Sequence, residues 1–322
     1  MNILYAGSPD ISAKVLEDLY LLTKDSSDFK IVGVLTNPPS AKGRHKELIP
    51  TDVAQTAIKY EIPVLEPEKL DAELREKVQG LNPDILVCFA YGKIFGPKFM
   101  ALFPLGGINL HPSLLPKYRG CAPVPAAILN QETETGITVQ KLALEMDSGD
   151  ILLQTKIPLD FTETSESLLN KAAAMGGELL FKVLNCIKTG GGQCTPQDSS
   201  QATYCEMLKK EDGLIDWSKS AKEICAKIRA FYPWPSSYTV YKDLQLKIHE
   251  ACVFTDFAEV NQENISTPIA PGTVFASDKN NGILIQTGEG ILAVKNLQLQ
   301  AKKAMNYKDF LNGNKDFIGT KL

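Results

Sequence analysis

Short, almost wholly apolar runs alternate with stretches of helical period through the N-terminal part of the chain, and this alternation restricts the fold more than any other feature. Asn2-Ile3-Leu4-Tyr5-Ala6 is one such run, ended by the turn formers Gly7-Ser8-Pro9-Asp10. Residues 11–22 follow, with Val15, Leu16, Leu19 and Leu22 at helical spacing. Ile31-Val32-Gly33-Val34-Leu35-Thr36 and Ile85-Leu86-Val87-Cys88-Phe89-Ala90 repeat the apolar run. A strand that is apolar on both faces needs cover on both, and the intervening helices supply it. The pattern therefore predicts a parallel sheet, and such sheets take ligands at the carboxyl ends of their strands. Gly7-Ser8-Pro9 stands where a dinucleotide fold would carry its glycine-rich loop, but G-x-G-x-x-G is absent, which argues against NAD or FAD. Gly7 reads instead as a tight strand-to-helix turn.

Two more strands are expected at 136–142 and 151–157, with the turn Glu145-Met146-Asp147-Ser148-Gly149-Asp150 between them. A helix over 165–188 then closes a first domain, residues 1–188. Thr189-Gly190-Gly191-Gly192-Gln193 breaks that helix, and the chain stays polar and aperiodic beyond it, so 189–206 reads as a surface linker. In 207–322, residues 218–231 form one amphipathic helix, with Ser220 and Glu223 in capping-box spacing. Short runs at 237–242, 244–254, 272–276, 283–287 and 291–299 suggest a small β-barrel. Residues 305–322 carry no pattern that assigns them. The expected fold is α/β: a Rossmann-like doubly wound, mostly parallel sheet followed by a smaller, OB-like β-barrel.

Composition bounds the function. The 322 residues include no run of eighteen apolar ones, and the N-terminus opens a strand rather than a signal peptide, so a cytoplasmic, non-membrane protein is expected. Seven scattered cysteines without a C-x-x-C pair, and three distant histidines, point to reduced thiols and no bound metal. Net charge is −4 overall, yet residues 207–322 hold 15 Lys and Arg against 13 Asp and Glu, leaving the acidic excess in the first part. That asymmetry marks either a division of labour or chance at these counts. The loop Asn37-Pro38-Pro39-Ser40-Ala41-Lys42-Gly43-Arg44-His45-Lys46-Glu47 is long and basic. It could meet phosphates through Lys42, Arg44 and Lys46, or it is a solvated surface loop.

The stretch Ile108-Asn109-Leu110-His111-Pro112-Ser113-Leu114-Leu115-Pro116 carries the candidate chemistry. Asn109 and His111, two apart in a strand, leave the same face. An amide donor beside an imidazole can stabilise an oxyanion and move a proton; the plain reading is a pair of satisfied polar residues at a strand-to-loop junction. Asp147 is the third candidate, since a carboxylate near His111 could orient the ring or accept a proton. By spacing alone Asp147 and Asp150, flanking Ser-Gly, would ordinarily be turn residues.

Asn109-Leu110-His111-Pro112-Ser113-Leu114-Leu115-Pro116-Lys117-Tyr118-Arg119-Gly120, followed by Met146-Asp147-Ser148-Gly149-Asp150, resembles the signature of the folate-dependent formyltransferases. Tyr5-Ala6-Gly7-Ser8-Pro9-Asp10, Thr36-Asn37-Pro38 leading to Gly43-Arg44, Phe89-Ala90-Tyr91-Gly92, Ala230-Phe231-Tyr232-Pro233-Trp234-Pro235, Ala270-Pro271-Gly272-Thr273 and Lys302-Lys303-Ala304-Met305 are similar to the methionyl-tRNA formyltransferase family in particular. The resemblance runs over nearly the whole chain. It implies formyl transfer from 10-formyltetrahydrofolate to the α-amino group of initiator methionyl-tRNA, in translation initiation, by a monomer without metal. Asn109, His111 and Asp147 would be catalytic, and Ser113, Leu114, Leu115 and Pro116 would bind folate. Arg44 and Lys42 would contact the tRNA, together with the C-terminal domain. The loop holds fewer basic residues around its arginine than is usual in that family. Two rivals stay open: a formyltransferase acting on an amino-sugar nucleotide, and a non-catalytic RNA-binding protein.

Overall fold

The computed structural model describes residues 1–42, 47–255 and 269–322. The chain divides into two compact units, one of Met1–Pro123, Glu134–Pro158 and Leu169–Cys205, the other of Val124–Thr133, Leu159–Leu168 and Glu206–Leu322.

In chain order the first unit begins β1 (Asn2–Ala6), α1 (Asp10–Thr23), β2 (Lys30–Leu35), β3 (Ser40–Lys42), β4 (Glu47–Ile49), α2 (Asp52–Lys59), β5 (Val64–Leu65) and α3 (Ala72–Gly80). It continues through β6 (Ile85–Cys88), α4 (Pro97–Met100), β7 (Gly107–His111), β8 (Arg119–Gly120), α5 (Pro123–Leu129), β9 (Glu134–Lys141), β10 (Ile151–Pro158), α6 (Ser165–Lys188) and β11 (Tyr204–Cys205), the residues of α5 and α6 being divided between the units. Seven strands form the main sheet in the order β10-β9-β7-β6-β1-β2-β5. From β5 to β7 the pairings are parallel, and β9 and β10 add antiparallel pairings at one side. The chain winds outward from β1 in one direction through β2 and β5, then returns to place β6 and β7 on the other side. That reversal at β1 and β6 is where open α/β sheets form their ligand crevice.

The apolar runs are what this topology requires: Ile3 to Ala6 and Ile85 to Val87 are fully buried. Gly7 has no room for a side chain. A Cβ there would stand 1.9 Å from Ser12 Oγ and 2.7 Å from the Phe89 carbonyl. The demand for glycine comes from the close approach of Ser12 in the first turn of α1 and of the Phe89 carbonyl after β6.

Residues 189–206, expected as a surface linker, run over the surface but are tied to the first unit as far as Cys205. Thr195 and Ile151 exchange backbone hydrogen bonds of 2.9 and 2.8 Å, and β11 pairs in parallel with β8. The basic loop is flanked by the antiparallel pair β3–β4, with Lys42 opposite Glu47. Arg44, with Gly43, His45 and Lys46, lies outside the described residues.

The second unit contains α7 (Ala221–Ala230), β12 (Ser237–Tyr241), β13 (Leu244–Val253), β14 (Val274–Asp278), β15 (Gly282–Gln286), β16 (Ile291–Leu299), β17 (Met305–Asn306) and α8 (Tyr307–Gly313). The capping box of α7 forms, with Glu223 N donating to Ser220 Oγ at 3.2 Å and Ser220 N to Glu223 Oε2 at 2.9 Å. The strands make an antiparallel sheet in the order β12-β13-β16-β15-β14, with β17 on β16. Ile224 and Ile228 of α7 pack with Leu246, Ile248, Val274, Leu292 and Val294 of the sheet. The unassigned C-terminal segment turns out to complete this core. Phe310 and Phe317 are each 1 % exposed and meet edge to face at 5.0 Å, with Tyr241 4.8 Å from Phe317. At seven residues α8 is too short to display a helical period.

Truncating a buried phenylalanine leaves a cavity as well as losing its transfer energy, so Phe310→Ala is expected to lower stability by about 3–5 kcal/mol. Urea denaturation followed by tryptophan fluorescence measures this, and a loss below about 1 kcal/mol would contradict the placement of α8 in the core.

Candidate active site

Asn109 and His111 occupy the carboxyl end of β7. The register with β9 sets Asn109 opposite Gln140 and His111 opposite Thr138. Residues directly opposed in an antiparallel pair share a face, so these four side chains project together. Ile108 and Leu110 are buried on the other side, 1 % and 2 % exposed.

Asp147 reaches the same place from the loop between β9 and β10. The loop folds back on its own strand, and Gly149 sits so close to Lys141 that a Cβ would fall 1.9 Å from the Lys141 carbonyl. Asp147 itself has φ 52°, in the left-handed region that aspartate enters more readily than most residues. Its Oδ1 accepts hydrogen bonds from Gln140 Nε2 at 2.8 Å and Asn109 Nδ2 at 3.4 Å. Its Oδ2 accepts from the Gly120 backbone N–H at 2.9 Å and lies 3.5 Å from His111 Nδ1. The three residues chosen from sequence are thus brought together around one carboxylate.

The hydrogen bonds decide what each group can do. His111 Nε2 is 2.9 Å from the Tyr118 carbonyl oxygen, which can only accept, so Nε2 carries the hydrogen. Nδ1 then faces Asp147 and can take up a proton or receive a hydrogen bond from a donor lodged between ring and carboxylate. The Asn109 contact, at 3.4 Å, is long for an N–H···O bond. Its amide retains donating capacity for another oxygen. A loosely held donor, an imidazole with an acceptor nitrogen and an ionisable carboxylate form a set suited to a carbonyl that becomes an oxyanion while an amine loses a proton.

Residues 113–116 make a turn pinned from below. Thr138 Oγ1 donates to the Ser113 carbonyl at 2.7 Å and accepts from Leu115 N at 3.2 Å. Gln154 Nε2 donates to the Leu115 carbonyl at 2.7 Å. Ser113 Oγ donates to the Lys117 carbonyl at 2.7 Å. Ser113 and Leu115 are buried, so Leu114 and Pro116 have the accessible side chains of the four.

Burial keeps two nearby thiols protonated. Cys88 and Cys205, both sensing the Asp147 charge, are pushed up to about 12 and about 11, in each case chiefly by burial. Both stay protonated at neutral pH and are poor nucleophiles. Among the described residues no group of three or more His, Cys, Asp or Glu side chains stands close enough to hold a metal ion, and no helix is long and apolar enough to cross a membrane.

Several groups around Asp147 and His111 escaped the sequence reading. Gln140 had a signal: Thr138 and Gln140 alternate with Ile137 and Val139 and so mark a polar strand face. The Gly120 N–H and Tyr118 carbonyl had none, being backbone groups. Arg119 and Gln197 were also missed. Arg119 is 2 % exposed, and its Nε and Nη2 donate to Gln197 Oε1 at 3.0 and 2.9 Å. Gln197 lies in the aperiodic segment that read as a linker.

The family model for formyl transferases matches residues 1–184, and that for the formyl transferase C-terminal domain matches 207–315. The methionyl-tRNA formyltransferase of Treponema denticola is 49 % identical over 99 % of this chain and 98 % of its own length. Among solved structures, HypX from Aquifex aeolicus in complex with tetrahydrofolic acid has a similar fold, with a TM-score of 0.63 at 15 % identity. That likeness covers 98 % of this chain, which spans about half of HypX, 48 %. An N-formyltransferase from Helicobacter canadensis, solved with folinic acid and dTDP-3-aminofucose, gives a TM-score of 0.64 at 19 % identity, over 91 % of this chain and 97 % of that one. With both family models matched and a relative this similar end to end, a methionyl-tRNA formyltransferase, the chain belongs to the formyl transferase family.

Proposed function

We propose that this formyltransferase moves the formyl group of 10-formyltetrahydrofolate to the α-amino group of methionyl-initiator tRNA, in the cytoplasm, for translation initiation. Its acceptor is argued from the full-length relative of that name, 49 % identical. The chemistry is argued from one observation above the others: Asn109, His111 and a buried-edge carboxylate, Asp147, share one hydrogen-bonded cluster at a strand end.

10-Formyltetrahydrofolate supplies an activated formyl carbon. The acceptor amine forms a new C–N bond to that carbon, the bond from carbon to N10 breaks, and the amine's proton leaves as N10 gains one. Asn109 Nδ2 donates to the formyl oxygen as negative charge grows on it, exchanging its long contact with Asp147 for a stronger one. His111, with Nε2 held by the Tyr118 carbonyl, takes up a proton at Nδ1 and in that form donates to the same oxyanion. Asp147 orients His111 and a water and helps take the proton from the amine. Leu114 and Pro116 offer apolar contact to the folate, while Ser113 and Leu115 set the turn. A neutral amine needs no covalent enzyme intermediate, which suits thiols that stay protonated. Arg44 and Lys42 hold the acceptor arm of the tRNA, assisted by the more basic residues 207–322; this part rests on the family resemblance.

Transfer of labelled formyl to charged initiator tRNA, with elongator methionyl-tRNA and an amino-sugar nucleotide as competing acceptors, tests the reading. Preferential labelling of initiator tRNA is expected. Labelling of the amino sugar instead would overturn the acceptor, and tRNA binding without any transfer would make the chain a binding protein. Removing one oxyanion donor typically costs about 10²–10³ in turnover, and a loss of that order is expected for Asn109→Ala with folding intact. Near-normal turnover in that variant would remove Asn109 from the mechanism. Arg44→Ala is expected to weaken tRNA binding while leaving transfer to a minimal amine acceptor unchanged. Equal loss on both acceptors would place Arg44 in folding or chemistry.

A further inference from the structure

We propose that Arg119 and Gln197 are positioning residues for formyl transfer: a fixed chain of hydrogen-bond polarity runs from the buried Arg119 guanidinium through Gln197 and Gln140 and holds the Asp147 loop and carboxylate in place. The proposal rests on the reading of Asp147 given above and extends it to residues that never touch the reacting atoms.

The direction of the chain follows from donor counting. A guanidinium donates and cannot accept. Nε and Nη2 of Arg119 both point at Gln197 Oε1, at 3.0 and 2.9 Å, so that oxygen faces the arginine. Gln197 Nε2 must then face the other way, where three acceptors wait: the Asp147 carbonyl at 2.8 Å, the Gly149 carbonyl at 2.7 Å and Gln140 Oε1 at 3.2 Å. With its oxygen taken, Gln140 turns Nε2 to Asp147 Oδ1 at 2.8 Å. Flipping the Gln197 amide would set its carbonyl against two loop carbonyls and its NH₂ against the guanidinium. Arg119 thereby fixes both amides without touching Asp147.

Two features mark this as more than loop packing. Gln197 clamps the carbonyls of Asp147 and Gly149, the residues on either side of Ser148, in a loop whose Asp147 backbone is left-handed. And the source of the polarity is a charged group, 2 % exposed, whose hydrogen bonds among the described residues go to the neutral side chains of Gln197 and Tyr204. A charge buried among neutral partners is costly for the fold, and orienting the amides that hold Asp147 gives it a use.

Gln197→Glu is the sharpest test. The new carboxylate still pairs with Arg119, so the segment stays anchored, but it has no hydrogen to give the two carbonyls or Gln140. Misplacing a reacting group by a fraction of an ångström to one ångström costs up to about 100-fold. We expect kcat for labelled formyl transfer to fall by about 10- to 100-fold, with KM for 10-formyltetrahydrofolate and for methionyl-initiator tRNA unchanged. At equal folded fraction, Arg119→Lys, which keeps a single donating nitrogen, is expected to retain more kcat than Arg119→Met. The side-chain NH₂ of Gln140, followed by NMR, is expected to exchange slowly in the wild-type protein and fast in Gln197→Glu. Wild-type kcat in Gln197→Glu, a loss confined to KM, or a loss that tracks the folded fraction would overturn the proposal. So would an unchanged Gln140 signal, a reading that needs no substrate. Absence of formyl transfer by the wild-type protein would instead sink the functional reading, with the NMR still deciding whether the polarity chain exists.

Discussion

The Asp147 carboxylate ties together parts of the chain that are distant in sequence. Through its two oxygens and its backbone it binds β7 at Asn109, β9 at Gln140, the β8 turn at Gly120 and the segment after α6 at Gln197. Each hydrogen bond to an ionised group contributes about 1.5–3 kcal/mol net. Holding one residue in a left-handed conformation costs about 1–2 kcal/mol. The short bonds from Gln140 and Gly120 alone outweigh that strain, so the loop is set by the carboxylate rather than by the local preference of Met146-Asp147-Ser148-Gly149. Gly149 is part of the same arrangement, since a side chain there would drive the loop off β9.

The contacts of Asp147 differ in length. The Asp147 bonds to Gln140 and Gly120 are short, at 2.8 and 2.9 Å, whereas those toward Asn109 and His111 are 3.4 and 3.5 Å. The side toward Gln140 and Gly120 is tight, and the side toward Asn109 and His111 is loose. Groups that must exchange partners during reaction are better left underused than strongly paired, because a strong ground-state bond would have to be broken before the oxyanion could be stabilised.

How much of this was legible beforehand depended on whether a residue announced itself through periodicity. The parallel sheet was, because strands such as Ile85 to Val87 are buried on both faces and must be apolar throughout. Helix α6 and the capping box at Ser220 and Glu223 were legible for similar reasons of period and spacing. Asn109 and His111 could be paired by the two-residue strand repeat, and Asp147 entered through resemblance, since nothing local separates a site carboxylate from a turn carboxylate. Gln197 and the Tyr118 carbonyl were not legible: a polar residue in an aperiodic segment and a backbone oxygen have no pattern. Phe310 and Phe317 were missed because α8 is too short to show one. Gly7 was read as a tight strand-to-helix turn, and Ser12 of α1 does press on it; the Phe89 carbonyl across the sheet, which adds to the constraint, was not legible.

The central claim is that the charge on Asp147, and not merely its shape, organises formyl transfer. Asparagine is the substitution that isolates this, being isosteric and tolerant of the left-handed backbone that Asp147 adopts. Steady-state kinetics of Asp147→Asn with 10-formyltetrahydrofolate and methionyl-initiator tRNA, with thermal unfolding as the control on folding, measure it directly. The account predicts a fall in kcat of at least about 100-fold, the scale of a lost general base, in a protein that remains folded. A kcat within about twofold of the wild-type value, well short of that scale, would contradict it.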